Sequence, residues 1–130
     1  MTSTKEAVER YFESWAAKDF AAQRSLLHDD LHFEGPFDTF DRADDLMAAL
    51  QRLAAIVEGI EIDRWFVDGG EACVLYWLKT TIPDGTVPCA EWSRVRDGKI
   101  GFIRVYFDAR PFAKMFHAAR EAEGSAADEA

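Results

Sequence analysis

Glu91 is the residue whose type and place point most directly to chemistry. It stands in AEWSRV, a strand-like run with apolar neighbours, where an ionised carboxylate is costly and a proton tends to be retained. A protonated Glu there can donate a hydrogen bond to a ligand carbonyl. The competing expectation is an ion pair with Arg104, and the next hairpin's register separates the two. If Asp97-Gly98 alone form the turn, Glu91 lies opposite Arg104. If Arg96-Asp97-Gly98 form a three-residue loop, it lies opposite Ile103 and shares a face with Ile103, Val105 and Phe107. Tyr11 offers a hydroxyl at helical spacing and is either a donor or plain core. Asp38, in the loop between Phe37 and Phe40, is either an acid–base group carried inward or a solvated turn residue. Glu34 alternates away from Phe33 and Gly35. His28, His32 and His117 are scattered and lack the converging spacing of a metal site, so no metal is expected. No phosphate-cradling glycine loop or nucleophile elbow is present, and no cofactor is expected.

The elements that must position these groups change period midway. Ser3 and Glu6 have capping-box spacing, and Val8, Tyr11, Phe12 and Trp15 form a helical stripe. Asp19 caps a short second helix carrying Phe20, Leu26 and Leu27. Leu31 to Glu34 alternates as a strand that Gly35-Pro36 ends. Asp41 is expected to cap a third helix carrying Leu46, Met47, Leu50, Leu53 and Val57, which stops at Gly59. From Ile60 the period is two. Strands 60–67, 72–82, 86–96 and 99–108 are joined by turns at Asp68-Gly69-Gly70, Pro83-Asp84-Gly85 and Asp97-Gly98, which makes an antiparallel meander. Along the second of these, Val74, Tyr76, Leu78 and Thr80 face inward and Lys79 outward. Pro111 suits the start of a last helix with Phe112, Met115, Phe116 and Ala119. The class is α+β, with the helices on one face of the antiparallel sheet. Residues 1–120 are expected to form one domain and 121–130 a disordered tail.

A length of 130 residues, 48% of them hydrophobic, allows a buried core. The net charge of −9 argues against nucleic acid and anionic membrane as partners. No leader-like or membrane-spanning run occurs in the sequence, and Cys73 and Cys89 stand singly as buried free thiols, so a reducing cytoplasm is the expected location. Trp65, Val67, Leu75, Trp77 and Trp92 are expected to crowd the convex sheet face, opposite the helices. Such an apolar face predicts a homodimer formed through it. The competing expectation is that the C-terminal helix covers this face within one chain.

The element order, the string Val8-Glu9-Arg10-Tyr11 and the endings Asp97-Gly98-Lys99-Ile100 and Val105-Tyr106-Phe107-Asp108 resemble the nuclear transport factor 2-like superfamily over roughly residues 5 to 117. Within it the chain resembles the SnoaL-type polyketide cyclases, the ketosteroid isomerases and the limonene epoxide hydrolases. The superfamily pattern favours the three-residue register for Glu91. On the ketosteroid isomerase pattern, Tyr11 falls on an oxyanion-hole tyrosine and Glu91 on a carboxylic acid kept protonated. The catalytic base of that family falls on Gly35 and is absent, which leaves Asp38, and after it Glu34, as the candidate replacements. On the epoxide hydrolase pattern the catalytic Asp falls on Val105, and the Arg-x-Asp pair has no counterpart within 74–81. The resemblance implies a cone-shaped, curved antiparallel sheet with the N-terminal helices packed on its concave face around a deep pocket, walled by Trp15, Phe33, Gly35, Phe37, Tyr76, Leu78, Ile103, Val105 and Phe107. It implies a small, mostly apolar ligand bearing a carbonyl or hydroxyl. Two functions stay open: cofactor-free acid–base chemistry such as isomerisation, cyclisation or dehydration, with Glu91 and Tyr11 as donors, or a non-catalytic binding or association module.

Overall fold

Ser3 starts the first helix by accepting a hydrogen bond from the Glu6 N–H at 3.1 Å, which satisfies one of the donors a helix start leaves unpaired. The structure is a computed structural model and describes residues 3–81 and 84–113. Helix α1 (Thr4–Ala16) buries Ala7, Val8, Tyr11, Phe12 and Trp15 on one stripe. Lys18 reverses the chain at φ 57, and the Asp19 side chain caps α2 (Phe20–Ser25) by accepting from the Ala22 N–H. Helix α3 spans Ala43–Ala54.

Two details of α3 differ from expectation. Arg42 occupies its cap without a side-chain hydrogen bond, because the Asp41 carboxylate is engaged by the His32 Nδ1 at 2.6 Å. The helix also ends at Ala54, so Val57 begins a strand where helix was expected.

The strands are β1 (Leu27–Glu34), β2 (Thr39–Phe40), β3 (Val57–Asp68), β4 (Glu71–Thr81), β5 (Asp84–Arg96) and β6 (Lys99–Phe107). They form a curved, unclosed sheet in the order β2-β1-β6-β5-β4-β3, with the N-terminal helices packed against it. The meander β3 to β6 is antiparallel, as expected. One pairing is parallel: β1 runs alongside β6, with Phe33 opposite Ile103 and Glu34 opposite Arg104. Helix α3 and four strands lie between them in the chain, a connection long enough for a parallel return.

Turn lengths decide which face each side chain takes, since a one-residue slip reverses a whole strand. Asp68 pairs with Glu71 across a two-residue Gly69-Gly70 turn, so Trp65 lies opposite Val74 and Val67 opposite Ala72. Both therefore belong to the helix side, not the convex face. Trp65 packs edge-on against Phe12, ring centroids 6.2 Å apart.

At the β5–β6 hairpin the turn is again two residues, Asp97 and Gly98, both at positive φ. An irregularity at Gly101 then inserts one residue into β6, and Glu91 lies opposite Val105 rather than Arg104 or Ile103. Neither expected register occurs, but the inserted residue restores the parity that turns Glu91 inward and Arg104 outward. The core beneath holds Val8, Leu27, Leu31, Leu46, Ile100 and Ile103, all fully buried.

After β6 a single 3₁₀ turn, Arg110–Phe112, buries Phe112 against Phe107. The expected last helix beyond Ala113, His117, the C-terminal tail, Ile82 and the Pro83 corner of the β4–β5 turn lie outside the described residues. No helix among the described residues is long and apolar enough to cross a membrane.

Candidate functional site

β4 and β5 present their inward side chains to the same space. Tyr76 lies opposite Cys89, and Val74 opposite Glu91, so Tyr76 and Glu91 are diagonal neighbours on one face. The Tyr76 hydroxyl donates to Glu91 Oε1 at 3.1 Å. Glu91 is only 6% exposed, and its Oε2 is buried without a partner. Burial raises its carboxyl from the ordinary 4.5 to about 7, with the Tyr76 hydrogen bond pulling the other way. Desolvation is the larger influence because one neutral donor cannot replace a hydration shell.

Tyr11 reaches the same place from α1. Burial first, then the nearby Glu91 charge, push its hydroxyl well above the tyrosine range, and Tyr76 is raised for the same reasons. Both phenols therefore remain donors at any physiological pH. Cys89, next to Glu91 on the inward face, has its thiol pushed up to about 12, chiefly by burial, so it is no nucleophile. Cys73 is half-buried on the opposite face, against the expectation that both thiols are enclosed.

These groups border a cavity of about 300 Å³. Its buried end carries Tyr11, Trp15, Tyr76, Leu78 and Glu91; Val105 and Phe107 extend the wall along β6. Phe33, Gly35, Phe37 and Asp38 come from β1 and the loop after it, where the Gly35 N–H donates to the Asp38 carbonyl at 2.9 Å. Of the residues the sequence nominated, Ile103 alone is not on the wall: it is fully buried in the core. It sits opposite Phe33 on β1 and opposite Ser93 on β5, covered on both sides by neighbouring strands.

Glu34 lies on the outer side, as alternation required. It accepts from Arg104 at 2.6 Å and from His32 at 3.0 Å, and the Arg104 guanidinium first, then His32, hold it below the carboxylate range. The Glu91–Arg104 ion pair therefore does not form. Among the described residues no three His, Cys, Asp or Glu side chains are grouped to hold a metal.

Sequence reasoning missed the contribution of α3. Leu46, Leu50 and Leu53 are an ordinary amphipathic stripe, yet part of that stripe faces the cavity, and Arg52 stands beside it. Phe112 closes another part of the wall. An apolar residue that packs on protein and one that borders a hollow read identically in one sequence. Arg52, an exposed cation amid that stripe, was the available signal.

The family model of the SnoaL-like domain matches residues 8–101. No curated protein matches the chain. Among solved structures, a protein from Kribbella flavida is 27% identical, with a TM-score of 0.79 over 89% of this chain and 95% of that one. An NTF2-like protein of unknown function from Cytophaga hutchinsonii has a TM-score of 0.78 at 20% identity, covering 86% of this chain and 96% of its own. An LEH-like epoxide hydrolase from M. tuberculosis has a TM-score of 0.72 at 24% identity, covering 85% and 86%. At 20% and 24% identity the likeness is one of fold.

Proposed function

The chain belongs to the SnoaL-like domain family, and from that premise we propose that its cavity binds a small, mostly apolar molecule bearing a carbonyl or hydroxyl and moves a proton on it. The observation that carries this reading is Glu91: a buried carboxyl, one oxygen unpaired, held near pH 7 at the closed end of an apolar hollow. A group poised there is half protonated in neutral solution, where it can give or take a proton with little driving-force penalty. Tyr11, kept neutral, supplies a hydroxyl donor for a developing oxyanion, while the Tyr76 hydroxyl holds Glu91. Glu91 then serves as the acid–base group itself, and a replacement base at Asp38 is not required. Isomerisation, cyclisation and dehydration all need such a shuttle and no cofactor.

A specific observation favours the second reading, a binding module without chemistry. Gly35 falls where the ketosteroid isomerase pattern has its base, and a Cβ at this position would lie 3.0 Å from the Phe33 ring. The site is closed to any side chain without rearrangement.

Proton exchange separates the two. Aryl alkyl ketones incubated with the protein in heavy water should lose their α-proton NMR signals about 10²–10⁴ times faster than without it, along a profile with an apparent pKa near 7. Glu91→Gln should bind the ketone but not exchange it, and Glu91→Ala should do neither well. Binding without accelerated exchange in the parent protein would leave the binding module. The reading also includes a cytoplasmic homodimer formed through the convex sheet face.

A further inference from the structure

Arg52 stands in the last turn of α3 and borders the cavity, exposed to solvent, while Glu91 and Tyr76 close the buried end. The cavity is thus polar at both ends and apolar between. Arg52 also lacks the close carboxylate partner that several other arginines of the chain have. Arg24, Arg94, Arg96, Arg104 and Arg110 each pair with a carboxylate at 3.0 Å or less. Among the described residues the Arg52 side chain makes no hydrogen bond or ion pair, although the chain has 24 acidic residues against 15 basic ones. A cation in a last helical turn complements the helix dipole, which explains the residue type but not its place on the wall of the cavity that Glu91 also lines.

We propose that the cavity takes an amphipathic carboxylic acid: its carboxylate pairs with Arg52 at the mouth, its apolar body lies against Leu50, Leu53 and Leu78, and its carbonyl or hydroxyl reaches Glu91. This deepens the reading above and rests on it. The guanidinium matches a carboxylate bidentately, and the apolar surround at the mouth strengthens the pairing by displacing water. A volume of about 300 Å³ lies at the low end of the range for small-molecule sites, ~300–1,000 Å³, so the acid is short. Asp38 borders the same cavity from the loop after β1, so an amine head group is the competitor that the test must include.

Three probes of one shape decide it: 5-benzoylpentanoic acid, its methyl ester and 5-benzoylpentylamine, each titrated calorimetrically at low salt. The acid should bind about five- to tenfold more tightly than the ester, as a partly screened ion pair does, and added salt should narrow the gap. Arg52→Gln should bring the acid to the ester's affinity and leave the ester unchanged, whereas Arg52→Lys should keep part of the difference. Equal binding of acid and ester, or tighter binding of the amine, overturns the carboxylate assignment and leaves the pocket reading intact. Failure of all three to bind overturns both.

Discussion

Tyr76 and Glu91, on adjacent strands, share one hydrogen bond of 3.1 Å inside a mostly apolar enclosure. Among the described residues it is the one side-chain hydrogen bond to the Glu91 carboxylate, since Oε2 has no partner. Removing it with Tyr76→Phe deletes an interaction that favours the ionised form and leaves desolvation unopposed. The carboxyl of that variant should titrate above the parent value of about 7, read from the carboxylate band in an infrared pH titration. An unchanged midpoint would mean that the hydroxyl does not hold the carboxylate in solution.

The same burial gives stability a pH dependence of definite sign. Glu91 titrates near 4.5 when unfolded and near 7 when folded, so between those values the folded chain holds the extra proton. Stability then falls as pH rises from 4.5 to 7, by about 3 kcal/mol at 1.36 kcal/mol per pKa unit. Glu91→Gln keeps the shape and cannot ionise. Denaturant unfolding should show the variant more stable than the parent by about that amount at pH 8, with the gap closing near pH 4.5. A gap that is constant with pH would contradict a buried, titrating Glu91.

His32 works in the opposite sense on the outer side of β1. Its ring bridges Glu34 at 3.0 Å and Asp41 at 2.6 Å, and the Glu34 contact first, then Asp41, raise its pKa above 6.5. The stabilisation is complete below pH 6.5 and is lost as pH rises through the folded value. Solvent reaches all three groups, so the effect on stability is small. The midpoint itself is the better readout: the His32 imidazole NMR signal should titrate above 6.5, and Asp41→Asn should lower it.

The architecture was legible because period, caps and turn residues agree: Ser3, Asp19 and the glycine turns each mark a boundary that the chain obeys. Register was not. Sequence shows that Asp97-Gly98 turns the chain but not that Gly101 adds a residue to β6, and that extra residue is what faces Glu91 inward. Trp65 went to the wrong side for a related reason, since three candidate turn residues at 68–70 did not reveal that two would be used. Asp41 has the sequence of a helix cap, and only the fold brings His32 close enough to claim it. Arg52 required knowing which side of α3 meets the hollow.

Gly35 sets a limit on redesign. An added Cβ meets Phe33 Cε1 at 3.0 Å, Phe33 Cζ at 3.2 Å and Val105 Cγ1 at 3.4 Å. The Phe33 ring is itself packed on Phe40, centroids 5.8 Å apart, so it yields only by disturbing the wall. Gly35→Ala should cost about 1 kcal/mol through overpacking, measured by denaturant unfolding, and should weaken binding of the neutral ester probe. Gly35→Asp should cost more and not accelerate exchange. A faster Gly35→Asp variant would show that the wall can open.

The convex face yields the last prediction. Phe66, Trp77 and Tyr106, exposed by 52%, 40% and 55%, share this face with Leu75, Pro88 and Ala90, as the strand register requires. Trp92, expected among the bare aromatics, is covered: the Arg94 and Arg104 guanidiniums lie 4.7 and 5.3 Å from its ring. What stays open is therefore a patch centred on Trp77 and Tyr106, edged by arginines and by Glu71 and Glu34. A sheet face left to water is normally polar, and a contiguous apolar one marks an interface. A second copy related by a two-fold axis would set patch on patch. The parent protein should sediment as a dimer at micromolar concentration, and Trp77→Glu, on the outer side of β4, should shift it to monomer with little change in unfolding midpoint. A parent protein found only as monomer at that concentration would remove the dimer.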